Sequence, residues 1–465
     1  MPYPREQAGK GGHSDFIRNP DVKQFLESCS YLREPSDSEA QAIAALYQTA
    51  PRSEPPMLPR SVVASDASKS DSPINNKLPS TQVGFLKVSH VMIKMEEYNG
   101  LREPQANIVN PFKVAAIHRG AASITFTMPG CNIKYKGNDN VKDSFRQSLY
   151  DQLSLNRNAN GGGLTLLQVL VEIFGNTIKI KACPACKADC LFSFGPNQTL
   201  IQCSACQKMV YATDVLRLHE GISDFGDNAS MMTRMMNAIE HLLLASFILS
   251  VFKDAPNRLS EVAFVMDGPL AIFGEPAKLH GKMQGLIFKV NQYLLSKGLP
   301  QMLVIGLQKT GGLMDHAKLL ERFLPNGSLR LVDGEYRNKY IVGAESPADN
   351  FGHETYYGQD FIFRTERGRI FNFSIPYPFL DKTATGSGSG PGSVKDDQAR
   401  FASAKTEQAR YGDLVQQACD LIRHFEMDLY ESAIVPVALA HRHASISIMP
   451  GGKVLDILAR TALRP

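Results

Sequence analysis

Two groups of residues in this chain have the types and spacing to do chemistry. The first is CPAC followed, sixteen residues later, by CSAC, which places Cys183, Cys186, Cys203 and Cys206 as two CxxC pairs. Each pair forms a tight knuckle that lets two thiolates hold one ion, and two knuckles complete a tetrahedral sulfur shell suited to structural Zn2+. A redox CxxC is the rival reading, but it has no use for a second pair. Cys190 lies beside them and reads as a spare thiol.

The second group is acidic. Asp66 follows the small and β-branched run SVVAS, and Asp267 follows the buried run AFVM and precedes a glycine. Either acid alone is an ordinary turn residue. Two of them on neighbouring strands repel unless a cation lies between them. Glu240 is the lone acid in MMTRMMNAIEHLLLASFIL, an apolar setting in which a carboxylate needs a partner or a metal. Lys309, after VIGLQ, is placed to offset phosphate charge or orient a water. His441, in PVALAHRHAS, is a further candidate ligand for manganese in a mixed oxygen and nitrogen site. His443, two residues on, cannot point the same way. Asp71 reads as loop.

The elements that must position these residues read as follows. Residues 1–57, rich in Pro, Ser and charge, form an N-terminal arm, partly disordered, with a helical patch over DVKQFLESCSYL and then DSEAQAIAALYQ. Regular structure is expected from about Ser61, with three strands in an antiparallel meander: SVVASDAS, Gln82–Met95 and Ala122–Ile133. Two helices, KDSFRQSLYDQL and Leu164–Gly175, lead into the cysteine module, Lys181 to Tyr211. A helix over roughly Ala229–Phe252 precedes the strand EVAFVMDGPL. A helix, the strand in QMLVIGLQKTGG, ending at Lys309, and further short strands follow, including YRNKYIVG and DFIFRTERGRIFNFSIPY. TATGSGSGPGSVKDD, 383–397, reads as a flexible linker, and helical stretches over Gln398–Leu429 and Val435–Leu463 close the chain. Strands first, then alternating strand and helix, imply an α/β fold with a sheet of mixed direction. Ligands of such sheets bind beyond the carboxyl ends of strands, where Asp66, Asp267 and Lys309 are expected.

A chain of 465 residues supports two or three units. Its 43% apolar content is that of a globular protein, and a net charge of +4 permits a nucleic-acid partner without requiring one. No run of 18 apolar residues is present, so no membrane span is expected. The first residues, MPYPREQAGKGGHSDF, lack an apolar leader core, and the paired cysteines favour a metal over disulfides; both point to a cytoplasmic location.

The ordered set VVASDAS, FVMDGPL, VIGLQKTGG and PVALAHRHA resembles the NurA nuclease family, over roughly Ser61 to the C-terminus. That resemblance implies an RNase H-like, PIWI-like fold over 58–465: a mixed sheet flanked by helices, interrupted here by a four-cysteine zinc ribbon at 181–211 and the linker. It implies a Mn2+- or Mg2+-dependent deoxyribonuclease, a 5′-to-3′ exonuclease or single-strand endonuclease that processes DNA ends. It also implies a homodimer docked on a hexameric HerA-type ATPase, in repair or phage defence. By position Asp66, Glu240, Asp267 and His441 would hold the metal, with Lys309 beside them. The family's first motif reads Asp-Gly-Ser, whereas this chain has Asp66-Ala67-Ser68. The alternative is a non-catalytic zinc-ribbon adaptor for nucleic acid, or a scaffold subunit, with the acids as structural turns. Whether the ribbon is purely structural or touches nucleic acid stays open on sequence.

Overall fold

The computed structural model describes residues 14–29, 36–73, 81–101, 111–155, 163–343, 355–381, 394–426, 432–446 and 451–462. They fall into two units, residues 1–46 and Tyr47–Pro465. The first holds helices Ser14–Arg18, Pro20–Ser28 and Asp37–Ala44. Ser36 starts the last of these by accepting the Glu39 N–H, the sequence pattern of a helix N-terminus.

In the second unit the described strands are β1 (Gln48–Thr49), β2 (Ser61–Pro73), β3 (Gln82–Lys94), β4 (Ala121–Pro129), β5 (Ile178–Ala182), β6 (Asp189–Phe194), β7 (Leu200–Gln202), β8 (Met209–Tyr211), β9 (Val262–Asp267), β10 (Leu303–Gln308), β11 (Ser328–Leu331), β12 (Gly358–Arg364) and β13 (Ile370–Pro376). Nine of them make one sheet in the order β1-β11-β12-β13-β10-β9-β2-β3-β4. β2, β9 and β10 run parallel at its centre, and every other neighbouring pair is antiparallel. The mixed α/β sheet expected from sequence is therefore present, with β2-β3-β4 as its meander.

Alternation along the central strands divides the core between the two faces. Val63, Phe264, Met266 and Val304 pack on one side with the long helix Ala229–Asp254. Val62, Ala64, Ala263, Val265 and Ile305 pack on the other, with helices Leu414–Phe425 and Val435–Ala444. From Ala238 to Leu249 every residue of the long helix is buried, which is why that stretch is apolar on nearly all sides. Among the described residues it alone is long and apolar enough to cross a membrane, and 72% of its most apolar window lies inside the protein.

Several local expectations change. β2 does not end at Asp66 but runs on to Pro73, because β3 keeps pairing with it after β9 has stopped, and Asp71 lies in this extension, bound to Lys69 at 3.0 Å. Gln48–Thr49 pairs with Ser328–Leu329, so regular structure starts before Ser61. YRNKYIVG is helical over Arg337–Val342 rather than a strand. Its β-branched and aromatic residues suggest a strand, but Asp333 accepts the Tyr336 N–H and Arg337 is locked to buried Asp360 at 2.6 Å. Residues 383–393 of the expected linker lie outside the described residues, and a helix begins at Val394. The closing helical stretches are each broken: Val394–Lys405 and Leu414–Phe425 are separated by Gly412 at φ 54, and Val435–Ala444 is distinct from Gly451–Ala462.

Candidate metal centres

β2 and β9 pair in parallel as far as Ser65 and Met266, and the next residues are Asp66 and Asp267. Both side chains fall on the face shared with Val62, Ala64, Ala263 and Val265, where helix Val435–Ala444 packs and brings His441. Their ligand atoms, one from each of Asp66, Asp267 and His441, lie within 4.8 Å of one another. His441 Nδ1 is 2.7 Å from Asp66 Oδ2, and Asp66 Oδ1 accepts the Ala67 N–H at 2.8 Å. Lys309, directly after β10, donates to Asp267 Oδ2 at 2.7 Å. Asp66 is buried while the His441 side chain is 58% exposed, so the cluster opens to solvent on the histidine side.

The turn after Asp267 depends on two glycines. Gly268 has φ 122, a conformation that L residues rarely adopt, and its N–H bonds the Leu307 carbonyl at 2.9 Å. A Cβ on Gly306 would lie 2.5 Å from the Gly268 carbonyl oxygen, so only glycine lets β10 approach this turn.

Glu240 approaches from the other face. It is buried on the long helix and accepts from Ser65 Oγ at 3.3 Å. It is not among the three groups whose ligand atoms cluster. Burial pushes its carboxyl well above the usual range, and the charges of Asp66 and Asp267 push it further. Burial also raises Asp267, opposed by Lys309 and reinforced by Asp66. Two carboxylates and an imidazole form an oxygen–nitrogen set that suits Mn2+ or Mg2+, and the raised carboxyls of Glu240 and Asp267 reflect burial first and crowded negative charge second. All five residues singled out in the sequence thus lie at or beside one sheet position, four on one side and Glu240 behind. Sequence reading missed Ser65, which holds Glu240, and Tyr357, a buried phenol close enough to Glu240 for its charge to act on it. His443 turns away and meets His118 at 3.0 Å.

The second centre is the ribbon. β5 pairs with β6 and β7 with β8, and each hairpin holds one CxxC. The knuckles match: Lys187 N–H bonds the Cys183 carbonyl at 2.9 Å and Gln207 N–H the Cys203 carbonyl at 2.8 Å, with Lys187 and Gln207 at φ 62 and 61. Cys183 and Cys206 sulfurs are 3.7 Å apart, and Cys186 and Cys203 3.9 Å. Four sulfurs about 2.3 Å from one zinc lie about 3.8 Å apart, so the set fits that ion. Cys190 stays outside it. Behind the ribbon, Arg146 forks onto Asp214 at 2.8 and 2.7 Å and reaches Asp143 at 2.9 Å, all three buried. This network welds helix Val141–Leu155 to the segment that follows β8.

No family model matches the chain, and no protein of curated function matches it. Among solved structures it is similar to a crystal structure of NurA with manganese, at 13% identity and a TM-score of 0.24, over 97% of this chain and 99% of that one. A likeness of that size carries no weight in the assignment, and the reading that follows stands on the geometry of the two centres.

Proposed function

We propose that this protein is a metal-dependent nuclease that hydrolyses DNA phosphodiesters. The observation that carries the reading is the meeting of Asp66, Asp267 and His441 within 4.8 Å where the parallel pairing of β2 and β9 ends, with Lys309 against Asp267. Asp66, Asp267 and His441 would hold Mn2+ or Mg2+, and Glu240 would add its charge from behind. A divalent cation bound there supplies Lewis acidity towards a phosphoryl oxygen and a water of lowered pKa. The chain's own residues do the rest. The Ala67 N–H fixes the rotamer of Asp66, and Ser65 fixes that of Glu240. Lys309, beside Asp267, would offer its ammonium to a non-bridging phosphate oxygen. The four cysteines would hold Zn2+ in a closed shell with no position for substrate.

The finer reading is a 5′-to-3′ exonuclease or single-strand endonuclease at DNA ends, a homodimer working with a hexameric HerA-type ATPase in repair or phage defence. Its support is the ordered motif set in the sequence. Linear DNA incubated with Mn2+ tests the chemistry. We expect the wild type to degrade it and the Asp66→Ala, Asp267→Ala variant to lose about 100-fold or more. Intact DNA with the wild type, alone and with its ATPase, sinks the nuclease reading; equal cleavage by the variant sinks the site. The second reading is a zinc-ribbon adaptor that binds nucleic acid without cutting it. A lysine-lined cleft at the ribbon favours it, and DNA bound but uncut in Mn2+ would establish it.

A further inference from the structure

We infer that the foot of the ribbon is a second nucleic-acid contact, a cleft that takes the phosphate backbone of a single strand. The cleft has a volume of about 310 Å³ and lies between the first CxxC knuckle and the start of helix Val141–Leu155. That is room for about one nucleotide. Lys142, Lys187 and Lys208 line it, with Asp143 and Asp224. The two acids are already engaged. Asp143 is held by Arg146 at 2.9 Å and by Lys208 at 2.7 Å, and Asp224 accepts the Val141 N–H at 2.8 Å.

Lys142 and Lys187 make no ion pair or side-chain hydrogen bond among the described residues, and against Asp224, the lining acid that holds only a backbone N–H, they leave the cleft with an excess of positive charge. Neither is placed at random. Lys187 sits in the left-handed position of the knuckle, so its backbone is fixed by the same turn that sets the thiolates. Lys142 lies in the first turn of a 15-residue helix, where a cation opposes the helix dipole and an anion is favoured. An anion in the cleft would relieve both. Asn140, whose carboxamide is spent on Asp143, completes the wall with Pro184, Ala185 and Ile222. The last three offer an apolar surface but no acceptor array for base edges, so the contact would be to backbone and independent of sequence.

The inference rests on the nucleic-acid reading above but not on cleavage. It is therefore tested on the Asp66→Ala, Asp267→Ala protein without Mn2+, with zinc content checked. Binding of a fluorescein-labelled single-stranded oligonucleotide is followed by anisotropy across a salt series. Adding Lys142→Gln and Lys187→Gln should weaken binding about tenfold at low salt and flatten the log–log salt slope by about 1.4, the share of two phosphate contacts. Lys179→Gln, on an exposed ribbon lysine outside the cleft, should do neither. An unchanged affinity and slope in the double glutamine variant overturns the proposal, as does an equal loss from Lys179→Gln. Inorganic phosphate and a nucleoside monophosphate form the second arm. If they raise the melting temperature of the parent but not of the glutamine variant, while oligonucleotide binding is the same in both, the cleft is a free-anion site and the nucleic-acid assignment is overturned. Failure of wild-type cleavage alongside a preserved lysine effect removes the nuclease reading and leaves the cleft standing.

Discussion

Glu240 shows how electrostatics at a single residue ties stability to metal binding. Its folded pKa is raised by burial first and then by Asp66 and Asp267. A carboxyl raised in the fold contributes stability below its unfolded pKa, near 4.3, and that stability is lost as pH rises through the folded value. Glu240→Gln keeps the shape and removes the titration. In metal-free protein at pH 8 we expect this variant to melt about 2–4 °C above the wild type, with the gap closing towards pH 4. In the cleavage assay it should be severely impaired. A variant that melts lower at every pH would show that the raised carboxyl is not a liability. Filling the site should also expel protons: calorimetric titration with Mn2+ near pH 7 should show buffer-dependent heats from proton release, shrinking in Glu240→Gln.

At the scale of elements, the ribbon is part of the core. Cys183, Cys203, Phe192, Phe194 and Val210 belong to the same buried cluster as Leu166 and Met231. Stripping zinc with a chelator under mild denaturation, or replacing Cys183 and Cys203 by serine, should therefore lower the melting temperature of the whole second unit. A ribbon that melts alone, leaving the main transition unmoved in calorimetry, would contradict this. The Arg146 network is the joint. Arg146→Ala strands Asp143 and Asp214 without their buried partner, a change that costs about 3–5 kcal/mol in such settings. Chemical denaturation would measure it, and a loss under about 1 kcal/mol would mean that water replaces the guanidinium.

At the scale of the molecule, four histidines share one pH response. His90, His241, His219 and His316 are each pushed down to about 4, in every case chiefly by burial. A depressed histidine binds fewer protons folded than unfolded. Its stability is present above the unfolded value near 6.5 and is lost as pH falls towards the folded one. We expect the melting temperature to fall steeply between about pH 6.5 and 4, and His90→Phe to flatten that slope. An unchanged slope would mean that His90 is not neutral in the fold. His90 is the sharpest case: both ring nitrogens are buried without a partner, and its ring meets Phe247 edge-on.

The four-cysteine site was legible in the sequence because its chemistry is local. Two residues between cysteines close a knuckle wherever the chain goes, so spacing alone implied four converging sulfurs. The parallel strands were legible for a similar reason, since AFVM and LVIGL are buried on both faces and read as continuous apolar runs. The acidic centre is different in kind. Its residues come from positions 66, 240, 267, 309 and 441, and what joins them is strand order. Only the placement of β9 between β2 and β10 sets Asp66 beside Asp267 and within reach of Lys309. Side-chain parity then decided that His441 comes from one face and Glu240 from the other, a distinction that motif order does not contain. The same dependence explains the misreadings. Asp66 looked like the end of a strand because β2 is longer than its parallel partner, and YRNKYIVG looked like a strand because the ion pair that holds it helical reaches to Asp360, over twenty residues away. Local chemistry is written in spacing; a site shared by distant segments is decided by how the sheet assembles.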